Sequence, residues 1–190
     1  MAAGRWLALG AMAATALALA ACQGTTAPAG EEKVMNFTLT SAAFKNDERI
    51  PKKYSGEGDD VSPPLEWSEP PVATKAFALV CDDPDAPRGT WNHWTLWNIP
   101  ADRRKLAENV AKTEAVADLG GARQGNNSWP VIGYKGPMPP PGHGTHHYHF
   151  YLYALAAPLD LKAGADRKAV EAALKGRVIG QATIMGTYSR

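Results

Sequence analysis

Gly142–Leu155 reads GHGTHHYHFYLYAL, and its second part decides the fold class. From Phe150 to Leu155 the chain is a run of aromatic and branched side chains bounded by turn residues, a composition that favours a strand. Extended back to Thr145, such a strand sets His146, Tyr148, Phe150 and Leu152 on one face and His147, His149, Tyr151 and Tyr153 on the other, because successive side chains alternate. His146 and Tyr148 then point together. An imidazole N–H beside a phenol O–H is a donor pair suited to an anionic oxygen of phosphate or carboxylate.

Outward from this segment, Ala76–Val80 is a short apolar run typical of a buried strand, and Trp94–Ile99 (WTLWNI) has the same aromatic and branched character. Phe37, Leu39 and Phe44 are spaced like a strand followed by a turn. One clear helix is predicted over Asp166–Lys175: Asp166 caps it, Ala169, Val170, Ala173 and Leu174 share a face, and Glu171 pairs with Lys175. A weaker helical turn is expected at Arg103–Glu108. The proline-rich segments Ser62–Pro71 and Gly136–Gly142 read as surface loops able to shape a pocket rim, since proline offers no ladder N–H. The expectation is a mainly β protein, a single antiparallel β-sandwich with short peripheral helices over residues 34–190.

The chain has 190 residues, 45% of them hydrophobic, with 20 Lys and Arg against 19 Asp and Glu. That suffices for one sizeable core, and a balance so near neutral gives no field to draw in nucleic acid. Residues 1–21 differ in kind: Arg5 precedes an apolar Ala/Leu-rich run too short for a membrane span, the pattern of an export signal. It ends in Leu19-Ala20-Ala21-Cys22, which looks like a bacterial lipobox. That resemblance implies cleavage before Cys22, lipidation of Cys22, and anchoring in the cell envelope; with Gln23 rather than Asp next, it implies the outer membrane, facing the periplasm. Cleavage after an ordinary Ala-x-Ala-like site is the other reading of the same stretch. Residues 22–33 then form the lipidated cysteine and a flexible tether. With Cys22 acylated, Cys81 is the one remaining thiol and reads as a small buried hydrophobe.

Two further clusters carry chemistry. Cys81–Pro87 (CDDPDAP) packs three carboxylates and two prolines after the Ala76–Val80 run, and the prolines restrain Asp83 and Ala86. Four of the five histidines lie between positions 143 and 149; the fifth, His93, stands in Asn92-His93-Trp94. In this order DPDAP, NHW and GPMPPPGHGTHHYHFYLYAL resemble the signature blocks of the phosphatidylethanolamine-binding protein family. VSPPLEW at Val61–Trp67 and GQATIMGTYSR at Gly180–Arg190 resemble its bacterial YbhB/YbcL-type, Raf kinase inhibitor-like branch. The resemblance implies the family's β-sandwich and an anion pocket of Asp83, Asp85, His93, His146 and Tyr148 with a rim at Pro139 and Pro140. It departs from the pattern at Met138, where many bacterial members carry cysteine, and at His147, often arginine, which bears on the charge of the outer rim.

In such a pocket Asp83 accepts an imidazole N–H and orients it, while a zwitterionic phosphoethanolamine group offers phosphate to His146 and Tyr148 and its ammonium to Asp83 or Asp85. The expected partners are a phosphate-bearing small molecule or phospholipid headgroup and the membrane itself, with no cofactor and no metal. Three rivals stand beside this. His147 and His149 at i,i+2, with His143 nearby, have the spacing of paired zinc ligands but lack an evident third. Asp83, His93 and His146 are acid/base groups of a possible hydrolase, against which no GxSxG, HExxH or P-loop occurs. The family resemblance also implies protease or kinase inhibition by some members, which for an exported chain leaves an envelope protease as target. Trp67, Trp91 and Trp129 form either an exposed patch or buried core.

Overall fold

The computed structural model describes residues 34–190 together with Met1. The export signal, lipidated Cys22 and tether expected up to residue 33 lie outside the described residues. Ten strands and one helix follow: β1 Met35–Asn36, β2 Leu39–Thr40, β3 Leu65–Trp67, β4 Ala76–Asp83, β5 Trp91–Pro100, β6 Lys105–Leu106, β7 Ala115–Val116, β8 Ala122–Gln124, β9 His146–Leu155, α1 Arg167–Leu174 and β10 Val178–Tyr188. A seven-stranded sheet has the order β1-β10-β9-β4-β5-β8-β7, and a three-stranded sheet the order β2-β3-β6. The expected sandwich is present. All pairings are antiparallel except β1 with β10, which run parallel. No helix among the described residues is long and apolar enough to cross a membrane.

β4 shows why the layers form. Every residue of AFALVCDD is buried, as expected of a strand covered on both faces. Phe77, Leu79 and Cys81 enter the larger core with Leu39, Leu65, Trp67 and Leu106 of the small sheet. Ala78 and Val80 face the other way and pack with Trp97, Leu155, Val170 and Leu174, so that α1 covers the second face. The same alternation sends the two aspartates that end the strand to opposite sides. β9 alternates buried and half-buried residues from His146 to Tyr153 in the phase expected from its sequence.

The helix begins on the Asp166 cap, which accepts the Ala169 N–H at 2.8 Å, and buries Val170 and Leu174. Glu171 does not pair with Lys175. Lys175 has left the helix (ψ 126°), and Glu171 instead takes Arg167 Nη1 at 2.6 Å, one turn earlier. Two other expectations are corrected. Arg103–Glu108 is not helical: Lys105–Leu106 pairs with Leu65–Glu66, and burying Leu65 against Leu106 outweighs a weak helical preference. Within the Ser62–Pro71 loop, Leu65–Trp67 is therefore a strand, free of proline and buried on alternate residues. Trp67 is core, 4% exposed, rather than patch.

Candidate functional site

One end of the large sheet opens into a cavity of about 420 Å³, within the range of small-molecule sites. Asp83, His93, His146 and Tyr148 line it, with Pro139 and Pro140 on the rim. These six come from four separate parts of the chain, and all of them are positions that the family resemblance implies. Asp85 is the exception. It follows Pro84 out of the strand, and its carboxylate turns to the outer face of β9, where Oδ2 accepts both the backbone N–H of His147 at 2.8 Å and its ring Nδ1–H at 2.7 Å. That pair is open to solvent, and Asp85 is not among the residues lining the cavity. Burial works to raise the Asp85 carboxyl, but the two His147 hydrogen bonds reverse this and hold it below its ordinary value.

His93 reaches the cavity through a bulge. Cys81 pairs with Trp94 and Asp82 with Asn92, so β5 spends one extra residue there, and that residue is His93. Bulges re-aim a side chain that strict alternation would send elsewhere. Its Nδ1 lies 2.6 Å from the Lys135 carbonyl and must donate to it, which leaves Nε2 for whatever enters the cavity. Burial pushes the His93 pKa below its ordinary value, so the ring is neutral near neutral pH. The Lys135 carbonyl is itself fixed from outside: Asp60 accepts Gly136 N–H at 2.6 Å and Lys135 Nζ at 3.0 Å. Gly136 is required here, because a Cβ would strike the Tyr54 carbonyl oxygen.

On the opposite wall, His146 and Asp83 are 1% and 4% exposed at their side chains and lie 2.7 Å apart, Nδ1 to Oδ2. Asp83 Oδ1 accepts the Asp85 N–H at 2.9 Å, which closes the DPD turn over it. Tyr148 is stacked near His146 and meets His93 edge-on at 5.0 Å between ring centres. Its hydroxyl is buried with no hydrogen-bond partner of acceptable geometry among the described residues. Leaving such a group unsatisfied costs about 1–3 kcal/mol. Burial, and next the charge of Asp83, raise its pKa well above that of an ordinary tyrosine, so the O–H remains a donor.

Three contributors were not assigned from sequence. Trp91 and Trp129 form part of the wall, edge-to-face at 5.3 Å, and Trp129 meets His93 at 5.0 Å. Trp91 lies opposite Asp83 in the β4–β5 register, which sequence alone does not give, and nothing in Asn127-Ser128-Trp129 signals the other. His143 is the third: its Nδ1 is 2.8 Å from His146 Nε2. Met138 and Arg88 complete the mouth. His147 and His149 face away from the cavity, and the described residues hold no group of three or more His, Cys, Asp or Glu arranged for a metal ion. Cys81 is buried, and burial pushes its thiol well above the ordinary range.

Fold and cavity together define a class, the two-sheet β proteins with a pocket at one end of the larger sheet. Residues 40–189 match the family profile "Phosphatidylethanolamine-binding protein". A UPF0098 protein of Aquifex aeolicus is 44% identical over 168 residues, covering 83% of this chain and 96% of its own. LppC of Mycobacterium tuberculosis, described as a "putative lipoprotein", is 39% identical over 166 residues, 86% of this chain and 76% of its own. The crystal structure of YbcL from E. coli, described as a member of the mammalian PEBP family, superposes with TM-score 0.76 at 34% identity, covering 81% of this chain and 98% of that one. The chain belongs to the phosphatidylethanolamine-binding protein family.

Proposed function

We propose that the cavity binds the anionic end of a phosphate-bearing small molecule or phospholipid headgroup, and that it does so without turnover. The observation that carries this reading is the buried Tyr148 hydroxyl beside the Asp83–His146 couple: no protein acceptor takes its hydrogen in good geometry, and the neighbouring Asp83 is already engaged by His146 and the Asp85 N–H, so the donor suits an acceptor that arrives from outside. Neutral His93 offers an Nε2 lone pair, and Asp83 a charge, to an ammonium or hydroxyl on the same ligand.

Phosphoethanolamine at about one hundred times its Kd should stabilise the protein by about 2.7 kcal/mol, a rise of roughly 5–10 °C in Tm for a chain of this size. Tyr148→Phe and His146→Ala should remove most of that rise, while hydrolysis products remain undetected. A rise of equal size in both variants, or turnover lost with His146, would refute the reading. The same proposal sets the domain in the cell envelope on lipidated Cys22, a reading that the likeness to LppC supports. Cys22→Ala should then shift the protein from the membrane to the soluble fraction; an unchanged membrane fraction counts against lipidation.

A further inference from the structure

His146 is held at both nitrogens. Nδ1 faces Asp83 Oδ2 at 2.7 Å and Nε2 faces His143 Nδ1 at 2.8 Å. A carboxylate only accepts, so Nδ1 carries a hydrogen. Between the two imidazoles there is room for a single hydrogen. Either His143 donates it to the Nε2 lone pair of a neutral His146, or His146 is an imidazolium and donates to His143. In both states Nε2, the one polar atom His146 has left for a ligand, is occupied.

His143 itself is exposed, although its partner is buried. It stands between Gly142 and Gly144, whose φ values of +74° and +89° belong to the left-handed region, and a Cβ at either would meet nothing within 4 Å. The imidazole therefore comes from a segment that packing does not pin at its two hinges. Its backbone bonds are His143 N–H to the Pro140 carbonyl and Gly142 N–H to the Arg190 carbonyl.

We propose that His143 is a displaceable stopper on His146, and that an anion enters the cavity by replacing it and taking up one proton. This rests on the anion-binding reading of the same cavity. For Nε2 to give a hydrogen to a phosphate oxygen while Nδ1 keeps its hydrogen on Asp83, the His146 ring must carry two. Starting from the neutral pair, the second comes from solvent as the anion binds. Charged groups near the ring are Asp83 on β4, Asp85 and Arg88 on the following turn, His147 beside it on β9, and, past β10, the Arg190–Glu57 pair at 3.5 Å, whose carboxylate accepts the Tyr188 hydroxyl. His93 on β5, Tyr148 on β9 and Tyr188 at the cross-strand position of β10 also stand near it.

The test uses two probes in the intact protein: glycerophosphoethanolamine, a phosphodiester with no proton of its own near neutrality, and phosphoethanolamine, a monoester. Calorimetric titration from about pH 5 to about pH 8, in buffers of different ionisation heat, counts protons over the range where imidazole changes charge. About one proton per diester should be taken up at the upper end, with affinity falling about tenfold per pH unit there. Tighter monoester binding marks a free phosphate as the preferred source, and equal or tighter diester binding a lipid headgroup. Losing one competing hydrogen bond, His143→Ala should bind the diester about threefold to tenfold more tightly, with proton uptake kept. Binding without proton uptake, or a His143→Ala variant that binds equally or more weakly, overturns the stopper. If neither probe binds the wild-type protein at any pH, the anion reading itself fails. The His143–His146 contact is then judged alone in the free protein, where His143→Ala must move the ¹⁵N resonance of His146 Nε2, and an unmoved resonance rejects it.

Discussion

Asp82 and Asp83 are consecutive, both buried, and both end β4, yet the fold gives one a cationic partner away from the cavity and sets the other on the cavity wall. Asp82 points toward α1. Its Oδ2 accepts Arg167 Nε at 2.8 Å and its Oδ1 accepts Asn92 Nδ2 at 2.9 Å, so a permanent cation and an amide satisfy it inside the protein. Asp83 points to the cavity, and its side-chain partner is an imidazole, which unlike a guanidinium carries no fixed charge. Identical residue type, burial and strand position thus give a structural carboxylate and a site carboxylate. What separates them is whether the partner is permanent.

Exchanging the two roles by mutation is the sharpest way to break this comparison. Asp82→Ala should lower stability by about 2–3 kcal/mol, less than the loss for a fully buried pair because the Arg167 side chain is 37% exposed, and should leave phosphoethanolamine affinity unchanged. Asp83→Ala should do the reverse, weakening binding about tenfold or more while costing about 1 kcal/mol in a urea titration. Equal losses of stability and affinity in both variants would erase the distinction. A smaller effect sharpens it by pH. Since burial lowers the His93 pKa, the unfolded chain binds more protons than the folded one below the ordinary histidine value of 6.5. Stability should therefore be full above that pH and decline as the pH falls through it. His93→Gln should flatten this part of the urea-midpoint profile, and an unaltered slope would show that His93 is not its source.

The fold was legible wherever alternation or a long apolar run spoke for itself. β9 could be phased from HHYHFYLYAL alone, and Val170 and Leu174 marked the buried face of α1. What escaped was decided by tertiary partners. Lys105–Leu106 is a strand only because Leu65 lies opposite, and Glu171 chose Arg167 because the chain leaves the helix at Lys175. The site divides similarly. Asp83, His146 and Tyr148 follow from strand geometry and the family pattern, whereas the His93 bulge is visible only in the register between β4 and β5. Asp85 was drawn away by His147, four-tenths exposed and on the far face of β9. His143 stood out only as a neighbour of the His147–His149 pair, since its contact with His146 depends on how a glycine-flanked loop folds back over its own strand.

The parallel pairing of β1 with β10 has a consequence for the order in which the molecule is made. β10 lies between the first strand of the domain and β9, and it pairs with β9 along its length, from Leu155 to His146. β10 is the last of the ten described strands to be synthesised. Until it is in place, β9 shows a bare edge, β1 has nothing to dock on, and the strand that bears His146 and Tyr148 lacks its neighbour. Removing β10 should therefore leave an edge-exposed intermediate prone to association rather than a smaller working domain.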